Sequence, residues 1–238
     1  MATRNLLYKR QIPINQHISI YVPTVGEIID CEDEYYSLVS MLTSMPIDNM
    51  VALADAGIDF TTIDEYQQFL LFFTGMKRLD TNLVFGDLDL SKFNLGVNEQ
   101  NGNIVLIDEE RDIRIDKALH SQIADVLRQI HHLEKNTRKP ANKEAQEYML
   151  ERARKKLKRR KNRMEDSQLE SLIIAMVNTP EFKYGFEGTR ELSIYQFNES
   201  VRQIIKKVDY NNRMYGIYAG TVDAKSLNPD DLNWLKRK

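Results

Sequence analysis

The sequence predicts a mainly α (α+β) protein: helical lobes, a small antiparallel β-hairpin element and one long basic helix. Three observations carry that prediction. Apolar residues recur at helical spacing over much of the chain, as in Leu119, Ile123, Val126, Leu127 and Ile130. Two strand-like runs, Phe93–Val97 and Ile104–Ile107, flank a polar stretch containing Asn101-Gly102, a strong hairpin signal. Residues 143–163 carry ten Lys/Arg against three Glu on a polar helical pattern.

Taken in order, residues 17–22 alternate around Ile18, Ile20 and Val22, the period of a half-buried strand. Pro23-Thr24-Val25-Gly26 breaks it, and Glu27-Ile28-Ile29-Asp30 leads into a helical run from Asp33 to Leu42. Ser44-Met45-Pro46 stops that helix and starts another, because proline is tolerated in a first turn. The second helix passes Met50 to Ala56 and meets Gly57 where a C-terminal cap belongs. Thr62-Ile63-Asp64-Glu65 reads as a capping box for a third helix ending near Gly75. Asn82–Gly86 reads as a short strand. In the hairpin, a two-residue and a four-residue turn both fit. Either places Phe93, Leu95, Val97, Ile104 and Leu106 on one face and Val105 and Ile107 on the other, so the second strand is expected to be covered on both sides.

Asp116 is placed to cap a helix from Lys117 to about Leu133. The polar stretch 136–142 is the best linker, and a long helical pattern runs from Lys143 to about Val177. Its first half is very polar, and its second carries the stripe Leu169, Leu172, Ile173, Met176 and Val177. An aromatic-rich loop, 179–188, precedes a helix opened by Ser193 and using Tyr195/Phe197, Val201, Ile204, Ile205 and Val208. Pro229 begins a short helix or turn before Trp234. These breaks divide the chain into 1–138 (strand, helices and hairpin), 139–178 (long basic helix and linker) and 179–238 (helical).

With 238 residues, 42% hydrophobic and 29% charged, the chain can bury a real core and reads as soluble. No apolar run approaches the roughly 18–20 residues that span a bilayer, so no membrane partner is expected. The first ten residues lack the apolar core of a secretion signal. One cysteine, Cys31, excludes an internal disulfide framework and suits a reducing cytoplasm. The net charge of −2 hides a local +7 over residues 143–163.

That basic run is the candidate partner-binding element: Arg152, Arg154, Lys155, Lys156, Lys158, Arg159, Arg160, Lys161 and Arg163, interrupted by Leu157. Phosphate neutralisation gives nucleic-acid contact a physical basis. The run lacks the interleaved aromatics of a single-strand platform, though, and no recognition-helix motif brackets it. Leu150, Leu157 and Met164, spaced by seven, suit a partner helix instead. An acidic protein partner or subunit is therefore preferred to nucleic acid and to a merely solvated face. Phe69, Leu70, Leu71, Phe72 and Phe73 exceed what one helical face needs, so another lobe or another chain should cover some of them. Phe69, Phe72 and Phe73 join the candidate partner surface, and self-association is expected.

Constellations for catalysis are weak. Asp87, Asp89, Asp108, Glu109, Glu110 and Asp112 flank the hairpin, where carboxylates can hold Mg²⁺ in a nuclease, but only Arg111 accompanies them. His131 and His132 are adjacent and point about 100° apart on a helix, and His120 lies three turns away. Asp30, Glu32, Asp33 and Glu34 are explained by the dipole of the helix they begin. No phosphate loop or nucleophile elbow occurs. We expect no enzyme, no metal and no cofactor.

The order of an alternating strand (Ile18 to Asp30, with Pro23-Thr24-Val25-Gly26-Glu27-Ile28), then Leu42-Thr43-Ser44-Met45-Pro46, then Leu53 to Phe60, resembles phage tail assembly chaperones over roughly the first 75 residues. Tyr215–Asp223 and Leu232–Leu235 are similar to the ends of uncharacterised proteins of Gram-positive phages. The resemblance implies a bacteriophage morphogenesis factor that binds the tape-measure protein, tail tube subunits or both.

Overall fold

The strand expected around Ile18–Val22 is half of an unanticipated hairpin. β1 (Gln11–Pro13) pairs antiparallel with β2 (Ser19–Tyr21), with Ile12 opposite Ile20. Ile12, Ile18, Ile20 and Val22 are all buried. The computed structural model describes residues 5–98, 102–161 and 167–235, which are mainly helical with two small antiparallel sheets.

Past Pro23 the chain enters α1 (Val25–Ile29), a helix where the sequence suggested only a break. The reason is local: the Thr24 hydroxyl accepts from the Glu27 amide at 3.1 Å, and Glu27 accepts from the Thr24 amide at 2.6 Å. Next come α2 (Glu32–Thr43), a 3-10 turn at Pro46–Asn49, and α3 (Met50–Asp55), with Gly57 following at φ +75°. The capping box of α4 (Glu65–Met76) sits two residues later than expected. Asp64 and Gln67 cap each other's amides at 2.9 Å, which frees Glu65 for the interior. Asn82–Phe85 is not a strand but a single helical turn, α5. Asp80 accepts from the Asn82 amide at 2.9 Å, and Gly86, at φ +60°, ends the turn in a conformation other residues avoid. Val84 and Phe85 thereby both reach the core.

β3 (Asn94–Val97), β4 (Ile104–Asp108) and β5 (Ile113–Ile115) form a meander, the third strand being a further addition. Val97 faces Ile104, and the Asn98 amide donates to the Asn103 carbonyl at 2.8 Å, the register of the four-residue turn. Asn101 lies outside the described residues. Phe93 and Leu106 are buried, yet Leu95, Val97 and Ile104 on the same face are exposed by 60%, 61% and 52%. The body covers only the inner half of the hairpin. There Val105 and Leu106, on opposite faces, are both buried.

α6 (Lys117–His131) has the expected Asp116 cap, 2.8 Å from the Leu119 amide, and ends at His132 in the left-handed region. Its stripe packs against α2, α4 and β5. The pattern expected as one helix from Lys143 to Val177 is two: α7 (Lys143–Lys161) and α8 (Gln168–Val177). Ser167 caps α8 in a non-helical conformation, so the helix cannot run through. Part of the aromatic loop is helical as α9 (Phe186–Glu191), and a Ser193–Gln196 capping box opens α10 (Ile194–Tyr218). The three expected segments share one core: Leu169, Ile173 and Met176 of α8 and Ile194, Tyr195 and Phe197 of α10 pack in the cluster that holds Ile18 and Phe69. A smaller cluster of Ile47, Leu53 and Phe60 lies beside it. No helix among the described residues is long and apolar enough to cross a membrane.

Candidate partner-binding surfaces

α7 is held to the body by one narrow face. Met149 packs on the Ile47, Leu53 and Phe60 cluster. Gln146 donates to Asp59 at 2.8 Å, and Arg154 pairs with Asp55 at 2.5 Å. Residues 142, 146, 149 and 153 share this side of a helix. Arg152, Lys155, Lys156, Lys158 and Arg159 lie on the other side and are exposed. Lys155 pairs with Glu151 at 2.6 Å within the helix. Arg152, Lys156, Lys158 and Arg159 have no carboxylate partner among the described residues. Leu157 is 45% exposed where α7 outruns the body, whereas Leu150, one heptad earlier, is half-buried. The side chains of Arg160 and Lys161, and all of Arg163 and Met164, lie outside the described residues. Tyr148, 65% exposed, is the sole aromatic of α7.

The aromatic run of α4 has another fate. Phe69 and Phe73 are 2% and 3% exposed in the central core and Phe72 is half-buried against it, while Leu71 is exposed. Phe69 and Phe73 are covered within the chain and offer nothing to a partner, whereas Leu71 and part of Phe72 stay at the surface.

Between the turn at Met45–Ile47, the loop before α4, the starts of α4 and α6 and the strap 135–142 lies a cavity of about 540 Å³. Its apolar wall comes from Met45, Ile47, Phe60, Ile63 and Tyr66. The strap is fastened at one end by Lys135 to Glu65 (2.5 Å) and Asn136 to Asp48 (2.7 Å). At the other end Asn142 accepts from the Ala145 amide at 2.8 Å. Lys117, on the rim, is neutralised by Asp64 at 2.7 Å. Arg138 and Lys139, carried by the exposed strap, have no carboxylate partner among the described residues.

Beside this cavity is a buried ion network that no local pattern announced. Arg128 bonds the Thr43 carbonyl and the Glu65 carboxylate and reaches Asp125 at 3.2 Å. Burial raises the Glu65 pKa, but bonds from Lys135 and Arg128 outweigh it and hold the carboxyl below its ordinary value. His120, 2% exposed, stacks on Phe69 at 4.2 Å and hydrogen-bonds the Leu42 backbone. Desolvation pushes its pKa down to about 4, and its Nε2 has no partner among the described residues. His131, bonded to the Tyr35 hydroxyl at 2.8 Å, is also pushed down to about 4, by burial and then by the neighbouring His132.

The acidic groups take structural places. Asp89 accepts from the Ser91 amide at 2.8 Å, and Asp108 from the Glu110 and Arg111 amides at 3.1 and 3.3 Å. Glu110 pairs with Lys92 at 3.3 Å. No group of three or more His, Cys, Asp or Glu side chains among the described residues is placed to hold a metal. Glu32, expected only to favour its own helix, instead binds the Leu169 amide at 3.0 Å and the Ser167 hydroxyl, tying the start of α8 to α2.

Residues 158–237, a third of the chain, match the family model described as the YomV second domain, a phage-associated family. The match begins at the end of α7 and takes in α8, α9, α10 and the tail. No curated protein and no solved structure matches the chain.

Proposed function

We propose that this chain is a phage morphogenesis factor that works by binding, as a tail assembly chaperone for the tape-measure protein or tail tube subunits, with α7 as the recognition element for an acidic protein surface. The match of the last third to a phage-associated family supports a phage protein, and the resemblance of the first 75 residues supports the finer role. The observation that carries the binding reading is the one-sided anchoring of α7. A helix held by Met149 and Arg154 presents at least five cations and Leu157 to solvent. Cations so displayed speed encounter and select the partner by charge, while Leu157 adds an apolar contact that a phosphate backbone cannot use.

Nucleic acid is the second reading, favoured by the same exposed cations but not by the single aromatic of α7, Tyr148. Co-expression with tape-measure or tail tube proteins separates the two. The triple variant Lys155→Glu, Lys156→Glu, Arg159→Glu is expected to fold normally, since exposed charges contribute little to stability, and to lose co-purification. Retained co-purification would refute the role of α7. DNA binding should be weak and non-specific; tight, sequence-selective binding with log K falling about 0.9 per phosphate contact in log salt would establish the second reading instead.

A further inference from the structure

We propose that the cavity beneath the 135–142 strap is an anchor pocket for an acidic, amphipathic segment of a partner protein. At about 540 Å³ it has the size of a ligand site, with an apolar wall of Ile47, Phe60, Ile63 and Tyr66 that suits one or two large apolar side chains. Its charge is not balanced by the protein. Lys117 and Lys135 pair with Asp64 and Glu65, and this leaves Arg138 and Lys139 on the strap without a carboxylate among the described residues. The bridges at Lys135 and Asn136 tie the start of the strap to the body, so the strap carries these two cations beside an apolar opening. The complement is a segment whose apolar anchors enter the cavity while its carboxylates meet Arg138 and Lys139. An acidic helix has both features on adjacent faces. The proposal rests on the reading of the chain as a partner-binding protein, but uses a site separate from the exposed face of α7.

The test titrates the full chain with a labelled acidic amphipathic helical peptide carrying Leu and Phe anchors. One control peptide has Lys in place of Glu, and another has Ala in place of the anchors. The acidic anchored peptide is expected to bind saturably at one site, and both controls about tenfold or more weaker. Ser121→Trp, which fills the cavity from α6, and the double variant Arg138→Glu, Lys139→Glu should each weaken it by a similar factor at an unchanged melting temperature. The α7 triple variant should leave peptide binding intact, so loss of partner capture by that variant alone would indict α7 and not the pocket. Equal binding of all three peptides, or indifference to both pocket changes, would overturn the proposal. So would saturable binding of an arylsulfonate dye, abolished by Ser121→Trp, without any peptide binding, since the cavity would then be a small-molecule site.

Discussion

Arg128 lies within an amphipathic helix whose apolar stripe was plain in the sequence, yet its side chain is only 6% exposed. Its partners, Thr43 and Glu65, are 85 and 63 residues away. No spacing rule reaches that far, so the inward turn of this arginine was illegible. Removing Glu65 would leave buried Arg128 with only the partly exposed Asp125 as counter-charge and Lys135 with none of its own. Glu65→Ala is therefore expected to cost about 3–5 kcal/mol in urea unfolding, and a loss below about 1 kcal/mol would show the network to be incidental. His120 adds a pH dependence with a defined sign. Its folded pKa of about 4 lies below the unfolded value of 6.5, so between these the unfolded chain binds more protons. Stability from His120 is present above pH 6.5 and lost as pH falls toward 4; His131 acts in the same window and direction. His120→Leu should flatten the slope of unfolding free energy over that interval by up to about 1.4 kcal/mol per pH unit. An unchanged slope would contradict its being buried neutral.

At the scale of elements, α10 is two helices in one. Its first turn carries Ile194, Tyr195 and Phe197 into the core, and the Val25 amide bonds the Leu192 carbonyl at 2.9 Å while the Ile194 amide bonds Pro23 at 2.8 Å. Farther along, Ile205 and Val208 are exposed by 62% and 40%, and Tyr215 and Tyr218 more so. The sequence places Tyr195/Phe197, Ile205 and Val208 on one apolar stripe, because periodicity records which residues share a face but not where the facing surface ends. Phe197→Ala is expected to cost about 3–5 kcal/mol by cavity formation, and Ile205→Ala to stay within about 0.5 kcal/mol. Comparable losses would mean that the distal half is packed as tightly as the first turn. The same limit explains the hairpin tip, where Leu95, Val97 and Ile104 have the pattern of a core face and no body over them.

For the whole molecule, the segment matching the phage-associated family begins at residue 158, but its apolar residues finish a core begun near Ile12. Glu32 ties α8 to α2, and the Thr24 bridge to Ser193 ties α10 to α1. Fragment 158–238 alone would expose Leu169, Ile173, Ile194 and Phe197, so it is expected to remain unfolded or to aggregate, while the full chain melts in one cooperative transition. A folded, monomeric 158–238 fragment, or two separated calorimetric transitions, would show instead that the matched segment is an autonomous domain.

Local chemistry in the sequence was sufficient for the mainly helical class, the Asp116 and Ser193 caps, the hairpin around Gly102 and the stripes of α6 and α8, because caps and periodicity act within a few residues. It also singled out the basic run, since charge survives any fold. Tertiary structure alone decided which apolar faces are covered and which charges are paired. It buried Phe69 and Phe73, turned Glu65 inward beside Arg128, left Leu157 beyond the edge of the body, and closed a strap bearing Arg138 and Lys139 over an apolar cavity. Those outcomes depend on pairs such as Glu65 with Arg128 and Asp48 with Asn136, 63 and 88 positions apart, and contact at that distance is fixed by packing rather than by any pattern along the chain.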